Sequence, residues 1–310
     1  MAITAPMKTS DFSGFLSPQE SAPIFDEAAK QSAFQQLIPR VELGINGQKI
    51  PVMTGKPTAN WVGQGERKPT TEGKFGMKLM EPKKLAAITV MSAEVARANP
   101  ANVSTRMREA ITEAIATAFD LAVAYNLGGD GTGTGPFDNY LAETTKSVTV
   151  GSTAKAEGGI HGDLTAAMAA LVADKRKLTG WALDDNVEPL IWGATDTNGR
   201  PLYVELPTDS MSQTLARPGR LLNRPSFMGE GVGNGDTVGF GGNFQKAAWG
   251  AVGGIGFRIS TEATVTINGE LVSLFENNRV AILAEAEYGF VMESPEHFVK
   301  LQTADSGAGA

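Results

Sequence analysis

The first stretch whose residue types and spacing could do chemistry is a glycine run. The stretch "NLGGDGTGTGPF", residues 126–137, holds five glycines between Leu127 and Pro136. A phosphate-binding glycine loop leads out of a strand into a helix N-terminus, so that backbone N–H groups and the positive end of the helix dipole face the anion. Here the helical pattern lies upstream and none follows, and the Lys-Ser/Thr ending of a P-loop is missing. The run therefore sits at the carbonyl end of a helix, with Gly128 and Gly129 as candidate caps, and reads as cap and turn. "GGDGTGTG" also has the flavour of a calcium loop, but Asp130 alone supplies too few oxygen ligands. Asp184-Asp185 reads as a helix cap rather than as paired catalytic carboxylates. The two histidines, His161 and His297, stand far apart and read as surface or packing residues. No Gly-x-Ser-x-Gly elbow, His-Glu-x-x-His pair or dinucleotide fingerprint occurs. The enzyme reading that survives is a hydrolase with no recognisable site; no metal and no cofactor is expected.

The element upstream of the glycines is the strongest in the chain. Val103, Met107, Ile111, Ile115, Phe119 and Val123 recur every four residues, with alanines alongside. That is the apolar stripe of an amphipathic helix, predicted over 102–127 with Asn102 as N-cap. A second helix is predicted over "GDLTAAMAALVADKRKLTG", capped by Asp163, with Leu164, Met168, Leu171 and Val172 as its stripe. "WALDD" predicts a buried strand, and most of 237–302 is strand-like, with a hairpin at Asn268-Gly269. Helices and strands are segregated rather than alternating, which makes the fold α+β.

Two segments lack a core of their own. Residues 1–40 are polar and proline-punctuated, with one helical patch, "PIFDEAAKQSAFQQLI"; they read as an arm that needs a partner surface, or as a mobile tail. After the Asn46-Gly47 turn, "GKPTANWVGQGERKPTTEGKFGMKLMEPKK" is rich in charge and glycine. A long two-stranded excursion of this kind cannot bury itself; it is either flexible or lies on another molecule. These segments point to an assembly protein.

Composition narrows the classes further. With 27 basic against 34 acidic residues the formal charge is −7, which argues against coating nucleic acid by counterion release. Cysteine is absent, so disulfides, thiolate chemistry and Cys-based metal sites are excluded. No signal-peptide pattern and no run of about 18 apolar residues occurs, so a soluble, cytoplasmically made protein is expected and no membrane partner.

The order of parts resembles the major capsid proteins of tailed bacteriophages with the HK97 fold. The matching stretches are "ANWVGQGERKPTTEGKF…KLAAITVMSAEV", the long helix ending in "NLGGDGTGTGPF", "ALDDNVEPLIWGATDTNGRPLY", "LLNRPSFMGEG" and "FENNRVAILAEAEYGFVMESPEHFVKL". The resemblance implies an N-terminal arm at 1–40 and an extended E-loop at 48–84. It implies a peripheral domain at 85–141 and 275–302 with its spine helix at 102–127, an axial domain at 142–274, and a C-terminal tail at 303–310. It implies a structural protein of the virion capsid, assembled in the bacterial cytoplasm into an icosahedral shell of homo-hexamers and homo-pentamers around double-stranded DNA that is not bound sequence-specifically. A portal protein and scaffold or decoration proteins are the other partners it implies. Encapsulin shells, which enclose cargo enzymes, share this fold and are the alternative; the matched stretches favour the phage reading.

The resemblance also implies one piece of covalent chemistry. Some relatives join neighbouring subunits by an isopeptide bond between an E-loop lysine and a peripheral-domain asparagine, with a glutamate as base. Ungapped alignment of "KLAAITV" and "FENNRVAILAE" to the family places Lys78, Asn278 and Glu285 at those positions. Lys74, Lys83, Lys84 and Asn277 offer competing registers. No other catalytic residue is expected.

Overall fold

The apolar stripe at 111–123 forms one long helix that organises half the molecule. The computed structural model describes residues 32–55, 57–98, 103–154, 157–194, 203–205, 217–267 and 269–303. Helix α3 (Val103–Tyr125) buries Ile111, Ile115, Phe119 and Val123, as its four-residue spacing predicts; the expected N-cap, Asn102, lies outside the described residues. Its carboxyl end differs from expectation. Asn126, not Gly128 or Gly129, takes the left-handed conformation at φ 54°. Asparagine tolerates that region because its short amide can bond locally: Asn126 Oδ1 accepts from Phe137 N at 2.9 Å and its carbonyl from Gly135 N at 2.6 Å. The glycines that follow are a turn.

Helix α3 packs on a sheet built around the longest strand, β14 (Arg279–Met292). On one side β14 pairs along ten residues with β3 (Lys83–Ser92). On the other it pairs end to end with β10 (Ala247–Ala251) and β11 (Gly256–Ser260). The face of β14 that carries Ala284, Ala286, Tyr288 and Phe290 meets α3. Phe119 sits among Tyr288 and Trp249 with ring centroids 5.2 and 5.8 Å apart.

A seven-stranded mixed sheet forms the second body. Its order is β4 (Ser147–Val150), β15 (Phe298–Thr303), β9 (Thr237–Gly242), β5 (Gly180–Leu183), β8 (Arg224–Met228), β7 (Arg217–Leu221) and β6 (Tyr203–Glu205). Helix α4 (Gly159–Ala173) covers it with Leu164, Ala167 and Leu171. Two expectations for α4 fail. Met168 and Val172 face solvent, at 36% and 58% exposure, because the buried stripe runs through the small Ala167 instead. Asp163 is not its cap: the helix begins earlier, and Asp163 is buried, accepting from Gly151 N and the Thr153 hydroxyl. Asp184 does cap, accepting from Asn186 N at 2.9 Å.

The two sheets do not follow the expected boundary at 274. Strands β10 and β11 precede it yet pair with β14, and β15 follows it yet joins β9 and β4. Much of the stretch expected as an arm lies outside the described residues. Its described end is core: α1 (Ala33–Leu37) buries Ala33 and Phe34. Asp120, itself buried, fastens it to α3 by accepting from Ser32 Oγ at 2.5 Å and Ala33 N at 3.0 Å.

Candidate functional site

The excursion at 48–84 is a hairpin of β1 (Gln48–Gly55) and β2 (Lys74–Met80), antiparallel with Met53 opposite Phe75 and Pro51 opposite Met77. Alternation along β2 sends its residues to two faces. Phe75, Met77 and Leu79 lie outward at 66%, 70% and 50% exposure, beside Met53. Trp61, in the loop between the strands, is fully exposed. The base, in contrast, is clamped. Gly250 and Gly289 stand opposite each other in the β10–β14 pair, and Leu43 and Met80 fill the notch they leave. A Cβ on Gly289 would come to 2.8 Å from both.

Lys78 is on the inner, half-buried face of β2 and donates from Nζ to the Met292 carbonyl at 2.8 Å. Glu285 is midway along β14, within 3.6 Å of Lys84 Nζ and 3.9 Å of Arg258 Nη2. Asn278 is exposed at the turn before β14, in the left-handed region at φ 49°. Of the asparagine pair, Asn277 spends its amide on Ser273 O at 2.8 Å, whereas Asn278 makes no side-chain hydrogen bond among the described residues. Lys84 and Lys83 pair with glutamates. Among the described residues Asn278 is thus the uncommitted asparagine, while Lys78 is held by a backbone carbonyl and Lys74 has no polar side-chain partner.

The three positions are strung along β14 and are not together. At about 3.3 Å per strand residue, Asn278 and Glu285 are roughly 23 Å apart, and Lys78, at the Met292 end, is about as far again. No amide bond can form among them within one chain. Only separate copies can bring a lysine, an asparagine and a glutamate to one place.

A second exposed feature adjoins Asn278. Strand β3 is an edge of its sheet among the described residues. Between it and the hairpin of β12 (Thr264–Ile267) and β13 (Glu270–Ser273) runs a groove of about 820 Å³ lined by Ile88, Val90, Val265, Ile267 and Arg279. Ile88 is 58% exposed, and Leu271 and Phe275 nearby are each 78% exposed. The outward hairpin face is faint in the sequence. Its signal was Phe75-x-Met77-x-Leu79, a period of two hidden among charged and glycine neighbours.

No described helix is long and apolar enough to cross a membrane, and no described group of His, Asp and Glu could hold a metal. Residues 13–303 match the phage capsid family. The chain is 39% identical over 302 residues to the probable major capsid protein gp17 of Mycobacterium phage D29, covering 96% of this chain and 93% of that one. It is 39% identical over 307 residues to the protein of the same description from Mycobacterium phage L5, covering 95% and 91%. Among solved structures, a chain of Gordonia phage Cozz superposes with a TM-score of 0.69 at 23% identity, covering 89% of this chain and 87% of that one, which extends the likeness to the fold.

Proposed function

The chain belongs to the phage capsid family, and on that footing we propose that it is a major capsid protein whose copies close into an icosahedral shell of hexamers and pentamers around double-stranded DNA. The observation that carries this reading is the outward face of the β1–β2 hairpin. Contiguous exposed apolar surface of this kind marks an interaction site, and the clamped base projects the face away from the body. In this reading 48–84 is the E-loop, α3 is the spine helix, the β14 sheet is the peripheral domain and the seven-stranded sheet is the axial domain.

The groove between β3 and β12 is the surface on which a neighbour's hairpin lies. Its apolar lining suits Phe75 and Met77, and it ends at Arg279, beside Asn278. Seating that face leaves Lys78 on the hairpin's other side, so in this reading its long side chain leaves the Met292 carbonyl of its own chain and turns past the strand to reach the Asn278 of the copy beneath. The lysine ammonium passes a proton to a glutamate, its neutral nitrogen attacks the Asn278 carboxamide carbon, and that nitrogen gives up a second proton, relayed to the amide nitrogen as the carbon–nitrogen bond breaks, so that ammonia leaves and an isopeptide remains. Glu285 is the base, supplied by a separate copy from Asn278, because one strand holds them apart.

Denaturing gels of boiled particles test the covalent step. A ladder or material held in the well, lost in Lys78→Ala and in Asn278→Asp, is expected; a single monomer band for the parent rejects it. Asn278→Asp suits the left-handed turn, so the loss reports chemistry rather than backbone. Replacing 51–77 with an Asn-Gly turn, which closes on the Ile50–Lys78 pair and removes Phe75 and Met77, tests the docking, since normal shells from that variant would leave the hairpin without its assigned role.

A further inference from the structure

Between the inner face of the β1–β2 hairpin and the turn after β14 lies a cleft of about 350 Å³, whose walls include Lys78, Arg176, Glu293, Ser294 and His297. Its charges are unevenly matched. Glu293 is taken by Lys246 Nζ at 2.6 Å and faces His297 Nε2 at 3.5 Å. The neighbouring cluster of Lys146, Asp174 and Glu296 is closed on itself. Lys78 and Arg176 have no carboxylate among the described residues. Arg176 Nη1 and His297 Nδ1 are buried without a hydrogen-bond partner there. A buried guanidinium N–H can be satisfied only by an acceptor, and buried donors left unmet are rare and costly.

We propose that this cleft is an oxyanion-binding site, in which Arg176, joined by Lys78 for as long as its amine is free of any isopeptide bond, provides the charge and His297 a further hydrogen bond for a phosphate or carboxylate group. The volume is ample for one such group with several waters of roughly 30 Å³ each. The state of His297 fits an empty site. Its side chain is 13% exposed, and burial, then the Arg176 charge, hold its pKa below the usual value. With the proton on Nε2, which lies 3.5 Å from Glu293, neutral His297 leaves Nδ1 bare. An arriving oxyanion offsets Arg176 and favours the imidazolium, whose Nδ1–H then donates to the ligand. Binding and protonation are therefore linked, and affinity rises as pH falls through the His297 midpoint. The oxyanion comes from solution as phosphate or from an acidic side chain of a second copy; the recognising chemistry is the same.

Histidine-labelled full-length chain reports on this directly, because its NMR spectrum contains only His161 and His297. In dispersed subunits, inorganic phosphate is expected to raise the His297 midpoint relative to chloride at equal ionic strength, with the exposed His161 unmoved. Arg176→Gln should weaken phosphate binding roughly tenfold or more, and Lys78→Gln, half-buried on the hairpin's inner face, repeats the test should Arg176→Gln not fold. In assembled shells, a His297 midpoint already raised and indifferent to phosphate identifies a neighbour's carboxylate as occupant. A His297 midpoint that ignores phosphate in dispersed subunits overturns the proposal, as does a phosphate response that survives both substitutions.

Discussion

Helix α3 with β14, and the β1–β2 hairpin, are both rich in large apolar side chains, yet they use them in opposite ways. Phe119 is 2% exposed and touches aromatic rings on two neighbouring strands. Phe75 is 66% exposed and touches little of its own chain. The same side chain stabilises the subunit in one place and leaves surface for another molecule in the other. Burial within the chain is a folding term; burial that waits for a partner is an assembly term. Substitutions should therefore separate cleanly into those that unfold the subunit and those that only prevent it from joining others.

The largest effect is expected in the body. Phe119→Ala removes the ring at the centre of the α3–β14 packing and should cost roughly 3–5 kcal/mol, read as a fall in the denaturation midpoint of dispersed subunits. A cost under about 1 kcal/mol, the level of ordinary surface change, would break the comparison at its buried end.

Asp120 should follow, with a pH signature. Burial, against the bonds from Ser32, Ala33 and Phe34, raises its pKa to about 7. The folded chain then keeps this carboxyl protonated over a window in which the unfolded chain has released the proton. Stability from this group is full below the ordinary carboxylate value, declines as pH rises toward about 7, and is level above it. The decline is at most about 4 kcal/mol. Asp120→Asn, which can still bond Ser32 and Ala33, should flatten that slope and match or exceed the parent's stability at neutral pH. An unchanged slope would assign the pH dependence elsewhere.

Glu296 gives a smaller effect of opposite sign. The Lys146 ammonium, with Thr145, holds its carboxylate down at about 2. Its contribution is present above the ordinary glutamate value and is lost as pH falls toward about 2. Because the pair is part exposed, Glu296→Gln should cost only about 1 kcal/mol at neutral pH, seen as a lower urea midpoint that converges with the parent's in acid.

How much of this was legible in the sequence follows from how local each signal is. The α3 stripe was plain because one face meets one core at a constant period. In α4 the same logic misplaced Met168 and Val172, since small Ala167 marks the packed line there. Asp163 looked like a cap because acidic residues favour helix starts; its partners, Gly151 and Thr153, lie upstream in a turn that the hydrophobic pattern does not register. The pairing of β15 with β9 and β4, and of β10 and β11 with β14, joins residues from 21 (Ser260 with Ala281) to 153 (Lys300 with Ser147) apart and leaves no trace in local pattern, so a boundary at 274 follows the chain while the sheets do not. Lys78, Asn278 and Glu285 were named by resemblance; that β14 keeps them apart could be learned only from the strand itself.

The smallest effect on stability belongs to the hairpin, and it bears most directly on the central claim. Phe75→Ser and Met77→Ser, made together, should change subunit stability by no more than about 0.5 kcal/mol per site, as at ordinary surface positions. Sedimentation velocity of this variant beside the parent, with electron microscopy of the heavy fractions, is the decisive measurement. The parent should sediment largely as closed shells, and the variant as folded, dispersed subunits or isolated capsomers. Shells of normal yield and size from the variant would contradict the claim that this face is held for a neighbouring copy.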